Sequence, residues 1–138
     1  MIKINDILKQ CNIIEVIGDD SRLISGVAFD SRKCSEEMAF FAIRGTQVDG
    51  HNFISKVIEQ GCKVIVCEQI PETITDNVTY YVVDNTAKSL GYAASEFYDR
   101  PSEKLRLVGV TGTNGKTTIA TLLYRLFYNA GYPCGLLS

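Results

Sequence analysis

Seven consecutive residues, Gly112-Thr113-Asn114-Gly115-Lys116-Thr117-Thr118, have the types and spacing to hold a phosphate group. Two glycines let the backbone turn tightly and approach an anion where side chains would stand in the way. Lys116, directly after the second glycine, adds a full positive charge where β- and γ-phosphates would lie. The hydroxyl of Thr117 is a ligand suited to Mg²⁺. The general phosphate-loop pattern is G-x-x-x-x-G-K-[ST], and its first glycine falls here on Val110, between Gly109 and Gly112. The dinucleotide fingerprint G-x-G-x-x-G is absent, because Thr113-Asn114 separates Gly112 from Gly115, and a Lys-Thr pair has no role in it. The chemistry is that of a nucleoside triphosphate. Lys116 is the candidate catalytic residue, placed to stabilise charge on a transferring phosphoryl group.

Such a loop works when a strand and a helix hold it. The apolar run Leu105-Arg106-Leu107-Val108-Gly109-Val110 predicts a buried strand before it. After it, Ile119, Leu122, Leu123, Leu126, Phe127 and Ala130 recur at spacings of three and four, which places them on one helix face. The start of that helix offers unpaired N–H groups and the positive end of its dipole.

Upstream, strand and helix patterns alternate. A short helix is expected from an Asn5-Asp6 cap through Cys11, then strands over Asn12–Ile17, Leu23–Phe29 and Met38–Ile43. A polar loop from Arg44 to Gly50 leads into a helix over 51–60, with Phe53, Ile54, Val57 and Ile58 on one face and Gly61 as its cap. Strands over 63–67 and 79–83 follow. A helix from the Asp84-Asn85-Thr86 cap to Tyr98 carries Ala87, Leu90, Gly91, Ala94, Phe97 and Tyr98 at helical spacing. Alternation of this kind indicates an α/β domain with a small sheet over residues 1–100, bounded by Pro101. Residues 101–138 then hold one strand, one helix and the start of another strand at Cys134–Leu137, too few for a complete phosphate-loop domain. The expectation is the truncated beginning of a second domain, part of a longer enzyme. Its helix face should be under-buried and prone to self-association or disorder.

Composition narrows the function classes. A chain of 138 residues, 46% hydrophobic, can bury one full core. Fourteen basic against 16 acidic residues give no basic field, which argues against a nucleic-acid partner. No apolar run approaches the roughly 20 residues that cross a bilayer, and the first residues lack a signal-peptide core. Five cysteines without a C-x-x-C pair, beside a single histidine, leave no zinc set and suggest reduced thiols in a cytoplasmic protein. Taken alone, Asp30-Ser31 is a capped turn at a strand end, Arg32 a solvated loop arginine and His51 the opening of a helix. The pairs Tyr80-Tyr81 and Tyr124/Tyr128 are packing or half-exposed aromatics.

Three separated motifs change that weighting. They are Asp30-Ser31-Arg32 with the strand Ala39–Ile43; Arg44-Gly45-Thr46-Gln47-Val48-Asp49-Gly50-His51-Asn52-Phe53; and Tyr98-Asp99-Arg100-Pro101-Ser102 through Gly109–Thr118. In this order, across nearly the whole chain, they resemble the Mur ligases of peptidoglycan synthesis. Within that family the pattern is most similar to the branch that extends the muramyl dipeptide to a tripeptide. The family's own phosphate loop, Gly-Thr-Asn-Gly-Lys-Thr-Thr, accounts for the glycine missing at Val110.

The resemblance implies an N-terminal domain that binds UDP-N-acetylmuramoyl-L-alanyl-D-glutamate, then a central ATPase domain and a domain for the incoming amino acid. Phe29 and Ser31 match one set of nucleotide-sugar contacts, and Thr46, Gln47 and Val48 a second. Gly112, Thr113, Asn114, Gly115, Lys116, Thr117 and Thr118 match the ATP site, with Thr117 towards Mg²⁺. ATP would convert the substrate carboxylate to an acyl phosphate, and the amine of meso-diaminopimelate or L-lysine would displace phosphate. Three alternatives stand beside this: a UDP-sugar binding module that does no chemistry by itself, the related ligase that adds D-Ala-D-Ala, and an unrelated phosphate-loop switch or motor. The first two motifs weigh against the last.

Overall fold

The computed structural model describes residues 1–137, and the chain divides into two compact units, Met1–Glu103 and Lys104–Ser138. The first unit begins with β1 (Ile2–Lys3) and a single helical turn, α1 (Ile4–Ile7). β2 (Ile13–Ile17), β3 (Leu23–Ile24), β4 (Gly26–Ala28) and β5 (Met38–Phe41) follow. A 3-10 turn (Gly50–Phe53) runs into α2 (Ile54–Glu59), and then come β6 (Val64–Cys67), β7 (Thr79–Val83) and α3 (Thr86–Phe97). Five strands form one sheet in the order β2-β7-β6-β5-β4, with β4 to β7 parallel and β2 antiparallel at one edge. β1 and β3 make a separate antiparallel ribbon.

Alternation along the three central strands builds the core. Side chains of successive residues leave opposite faces of a strand, so Ala39, Phe41, Val64, Val66, Tyr81 and Val83 enter one cluster with α1 and Ala93 of α3. Phe40, Ala42, Ile65, Cys67, Tyr80 and Val82 enter the other with Ile54 and Val57 of α2. Burial of each large apolar side chain contributes about 1.5–3 kcal/mol. The sheet therefore lies between helices on both faces, as parallel strands require.

Of the tyrosines expected to be packing or half-exposed aromatics, Tyr80 and Tyr81 are fully buried and Tyr128 is exposed. The Tyr81 hydroxyl donates to Asn5 Oδ1 at 2.9 Å, and burial pushes its pKa up to about 12. Tyr80 Oη accepts from the Thr75 N–H at 3.1 Å. The five cysteines are free thiols, and burial pushes that of Cys67 up to about 11.

Four expectations need correction. α1 starts at Ile4 without a side-chain cap, so Asn5 and Asp6 lie inside it; the Asn5 carbonyl serves Tyr81 instead. The expected strand 23–29 breaks at Ser25 into two strands in different sheets. α3 turns Thr86, Ser89 and Ala93 inward, with the expected Leu90 and Phe97 half-buried against the same cluster, while Ala87, Gly91 and Tyr98 are exposed. Small residues let the helix lie close to the sheet, and their Thr and Ser members carry no apolar signal in the sequence.

The fourth correction concerns the second unit. Leu105–Val110 and Cys134–Leu137 form no strand, and Leu105, Leu107 and Val108 are exposed. A strand needs a ladder partner, and the described residues of this unit supply none. A single turn, α4 (Pro101–Lys104), follows α3, and α5 (Lys116–Asn129) is the long helix of the second unit. None of the side chains of α5 is fully buried. Ile119, Leu122, Leu126 and Phe127 are exposed, the under-burial expected from the sequence.

Candidate functional site

In a parallel sheet, chain segments leaving the carboxyl ends of the strands form the natural ligand crevice. Here a cleft of about 560 Å³ opens where the chain leaves β4 and β5. One wall is Phe29, Asp30, Ser31 and Arg32, immediately after β4. The opposite wall is Ile43, Gly45, Val48 and Gly50, from the loop after β5, and Phe53 and Lys56 complete it.

The first wall is a turn held by its own charges. The Arg32 backbone N–H and Nε both donate to Asp30 Oδ1 at 3.0 Å, and a terminal guanidinium nitrogen donates to Oδ2 at 2.7 Å. Those bonds hold the Asp30 carboxyl well below the usual carboxylate range. The turn buries Ser31 yet leaves it lining the cleft. Phe29 is 64% exposed, an aromatic ring offered to whatever fills the space.

The second wall is a tight hairpin. Gly45 N–H donates to the Val48 carbonyl at 2.9 Å, Arg44 bridges to Asp49, and Thr46 and Gln47 sit at the exposed tip. Gly50 returns against the end of β5, donating to the Ile43 carbonyl at 2.7 Å. A Cβ on Gly50 would meet the Ile43 backbone nitrogen at 2.7 Å, so only glycine permits this approach. Behind the hairpin, His51 Nε2 accepts from the N–H groups of Glu68 at 3.0 Å and Gln69 at 3.3 Å. Its ring proton is therefore on Nδ1, which donates to Asp49 Oδ1 at 2.7 Å. Arg44 Nε lies 3.2 Å from Glu68 Oε2, and Glu68 Oε1 accepts from the Thr86 N–H at 3.2 Å. The imidazole thus ties the cleft hairpin to the end of β6, and Glu68 carries the tie on to the start of α3.

Of the five substrate-contact candidates, the structure brings Phe29, Ser31 and Val48 together on the cleft, while Thr46 and Gln47 stand at the hairpin tip outside its lining. The sequence reading gave no ligand role to Lys56. Its spacing from Phe53 was the available signal: three residues on, it shares that residue's helical face, whereas Ile54 and Val57 turn into the core.

The second unit holds the phosphate-loop residues by themselves. Gly115, at φ +76°, is the N-cap of α5, and Gly112 has φ +151°, both in the region that favours glycine. A glycine cap supplies no side-chain oxygen for the first amides of α5, so those of Lys116, Thr117 and Thr118 keep their donors. Gly112 through Thr118 are all exposed. These residues fit an anion at the helix start.

A mostly parallel open sheet with helices on both faces and a crevice at its strand ends defines a doubly wound type of α/β architecture. A family profile described as "Mur ligase family, catalytic domain" matches residues 23–98. The chain belongs to the Mur ligase family. Among curated relatives, the UDP-N-acetylmuramoyl-L-alanyl-D-glutamate–2,6-diaminopimelate ligase of Phocaeicola vulgatus is 51% identical over 99% of this chain. That of Cytophaga hutchinsonii is 49% identical over 99%. The chain spans 28% of the length of each. Among solved structures, MurF of Acinetobacter baumannii superposes with a TM-score of 0.64 at 25% identity, covering 92% of this chain and 26% of that one. MurF of Thermotoga maritima, solved in complex with ADP, gives 0.54 at 28% identity over 78% of this chain and 23% of that one. Among the described residues no helix is long and apolar enough to cross a membrane.

Proposed function

We propose that this chain is the N-terminal part of a cytoplasmic ATP-dependent amide ligase that adds 2,6-diaminopimelate to UDP-N-acetylmuramoyl-L-alanyl-D-glutamate in peptidoglycan synthesis. The names of the relatives support diaminopimelate over L-lysine as the added residue. In this reading Met1–Glu103 is the nucleotide-sugar domain and Lys104–Ser138 opens the ATP-binding domain. The observation that carries the reading is the cleft itself, where Phe29, Ser31 and Val48 converge from two segments far apart in sequence. Phe29 offers a face for the uracil ring, Ser31 a hydroxyl for its polar edge, and Val48 apolar contact. Thr46 and Gln47 contact the ligand from the hairpin tip.

For ATP, the amides of residues 112–115 hold the β-phosphate, and Lys116 stabilises charge on the phosphoryl group passed to the substrate carboxylate. Thr117 is the protein's ligand for Mg²⁺, which when bound offsets charge between the phosphates. Thr113, Asn114 and Thr118 line the same loop. With about a quarter of its relatives' length, this chain is expected to bind its nucleotide-sugar without forming amide.

Calorimetric titration of the UDP-muramyl dipeptide into the chain tests the reading. Binding to the unaltered protein, weakened about fivefold in Ser31→Ala by loss of one hydrogen bond, is the expected result. A folded sample that gives no heat would overturn it.

A further inference from the structure

We propose that Lys56 is the anion-contacting residue of the cleft: its ammonium takes the phosphate charge of the bound nucleotide. The inference rests on the nucleotide-sugar reading and adds to it the group that distinguishes a nucleoside diphosphate from a nucleoside. Three charged side chains line the cleft, Asp30, Arg32 and Lys56. Asp30 and Arg32 are committed to each other through the two-pronged contact at 3.0 and 2.7 Å. Their charges cancel locally, and the guanidinium edge is turned to a carboxylate rather than to the space between the walls.

Lys56 has no such commitment. No carboxylate lies within ion-pair distance of it among the described residues, although Glu59 stands one helical turn on. Its ammonium instead sits 6.0 Å from the centroid of the Phe53 ring, itself part of the cleft lining. That contact steadies the stem without neutralising the charge. The lining thus carries two positive side chains against one negative, a local surplus of one on a chain of net charge −2. An apolar cleft with a single uncommitted ammonium at its edge suits a ligand that is aromatic at one end and anionic further along. The flexible four-carbon stem lets the charge follow a phosphate without a preformed cage.

Titrations of uridine, UMP and UDP into the full chain, and into Lys56→Met and Lys56→Arg, test this. The methionine keeps the stem and removes the charge. Its affinity for UDP should fall about three- to fivefold, as for an exposed charge pair at low salt, with uridine unchanged. The arginine variant should keep most of the UDP affinity. In the unaltered chain the advantage of UDP over uridine should shrink as salt rises. If Lys56→Met binds UDP within about twofold of the unaltered chain, the assignment is wrong. Equal loss of uridine and UDP together with a lowered melting temperature also overturns it, since Lys56 would then support the fold. If the unaltered chain binds neither uridine nor UDP, the nucleotide-sugar reading itself falls and takes this inference with it.

Discussion

His51 shows how a residue can shape a site without facing the ligand. Its imidazole is largely buried behind the hairpin, with one nitrogen accepting two backbone N–H groups and the other donating to Asp49. Replacement by alanine would leave the partly buried Glu68 N–H and the more exposed Gln69 N–H without that acceptor and release Asp49. An unpaired donor costs about 1–3 kcal/mol, so His51→Ala should lower unfolding stability by roughly 2 kcal/mol in urea titrations. Glutamine can place its carbonyl oxygen near the position of Nε2, so His51→Gln should recover about half of that loss. Equal losses in the two variants would show that the accepting nitrogen is not what matters. From the sequence this residue reads as a helix opener, and it lies within the 3-10 turn that leads into α2; the donors it serves lie seventeen and eighteen residues away, beyond any local pattern. Ser31 was legible only through the family resemblance, because Asp-Ser at a strand end is an ordinary turn until a second wall stands opposite it.

Whole elements were easier to read where the chain's own periodicity decides them. α2 and β5 to β7 fall within a few residues of their expected limits, and Asn85 caps α3 by accepting from the Lys88 N–H at 2.8 Å. The failures share a cause, since each depends on partners that local pattern does not contain. Leu105–Val110 has strand composition and no ladder, and α3 packs through Thr86, Ser89 and Ala93 together with the expected Leu90 and Phe97, the polar pair carrying no apolar signal. Gly91 was expected on the packed face of α3 and is exposed instead, and a Cβ there meets nothing within 4 Å. Glycine inside a helix costs about 0.5–1 kcal/mol relative to alanine. Gly91→Ala should therefore raise stability by about that amount, read as a higher melting temperature. A loss of stability would mean that this face of α3 is covered in solution.

At the scale of the whole chain, both apolar clusters belong to the first unit: every residue in them lies between Ile2 and Phe97. The residues lining the cleft also belong to it, from Phe29 to Lys56. The second unit contributes to neither, and its long helix presents Ile119, Leu122, Leu126 and Phe127 as exposed apolar groups. Folding and nucleotide-sugar binding should therefore be properties of Met1–Glu103, and association a property of the remainder. A chain ending at Glu103 is expected to keep its cooperative unfolding transition and its UDP affinity within about twofold. The 138-residue chain should sediment as larger species at raised concentration, and Leu122→Glu with Leu126→Glu should return it to monomer, because each charge breaks a face that gains only by being covered. If removal of Lys104–Ser138 abolished UDP binding while far-ultraviolet circular dichroism kept its shape, the second unit would have to complete the pocket. The assignment of the ligand to the strand ends of one sheet would then have to be withdrawn.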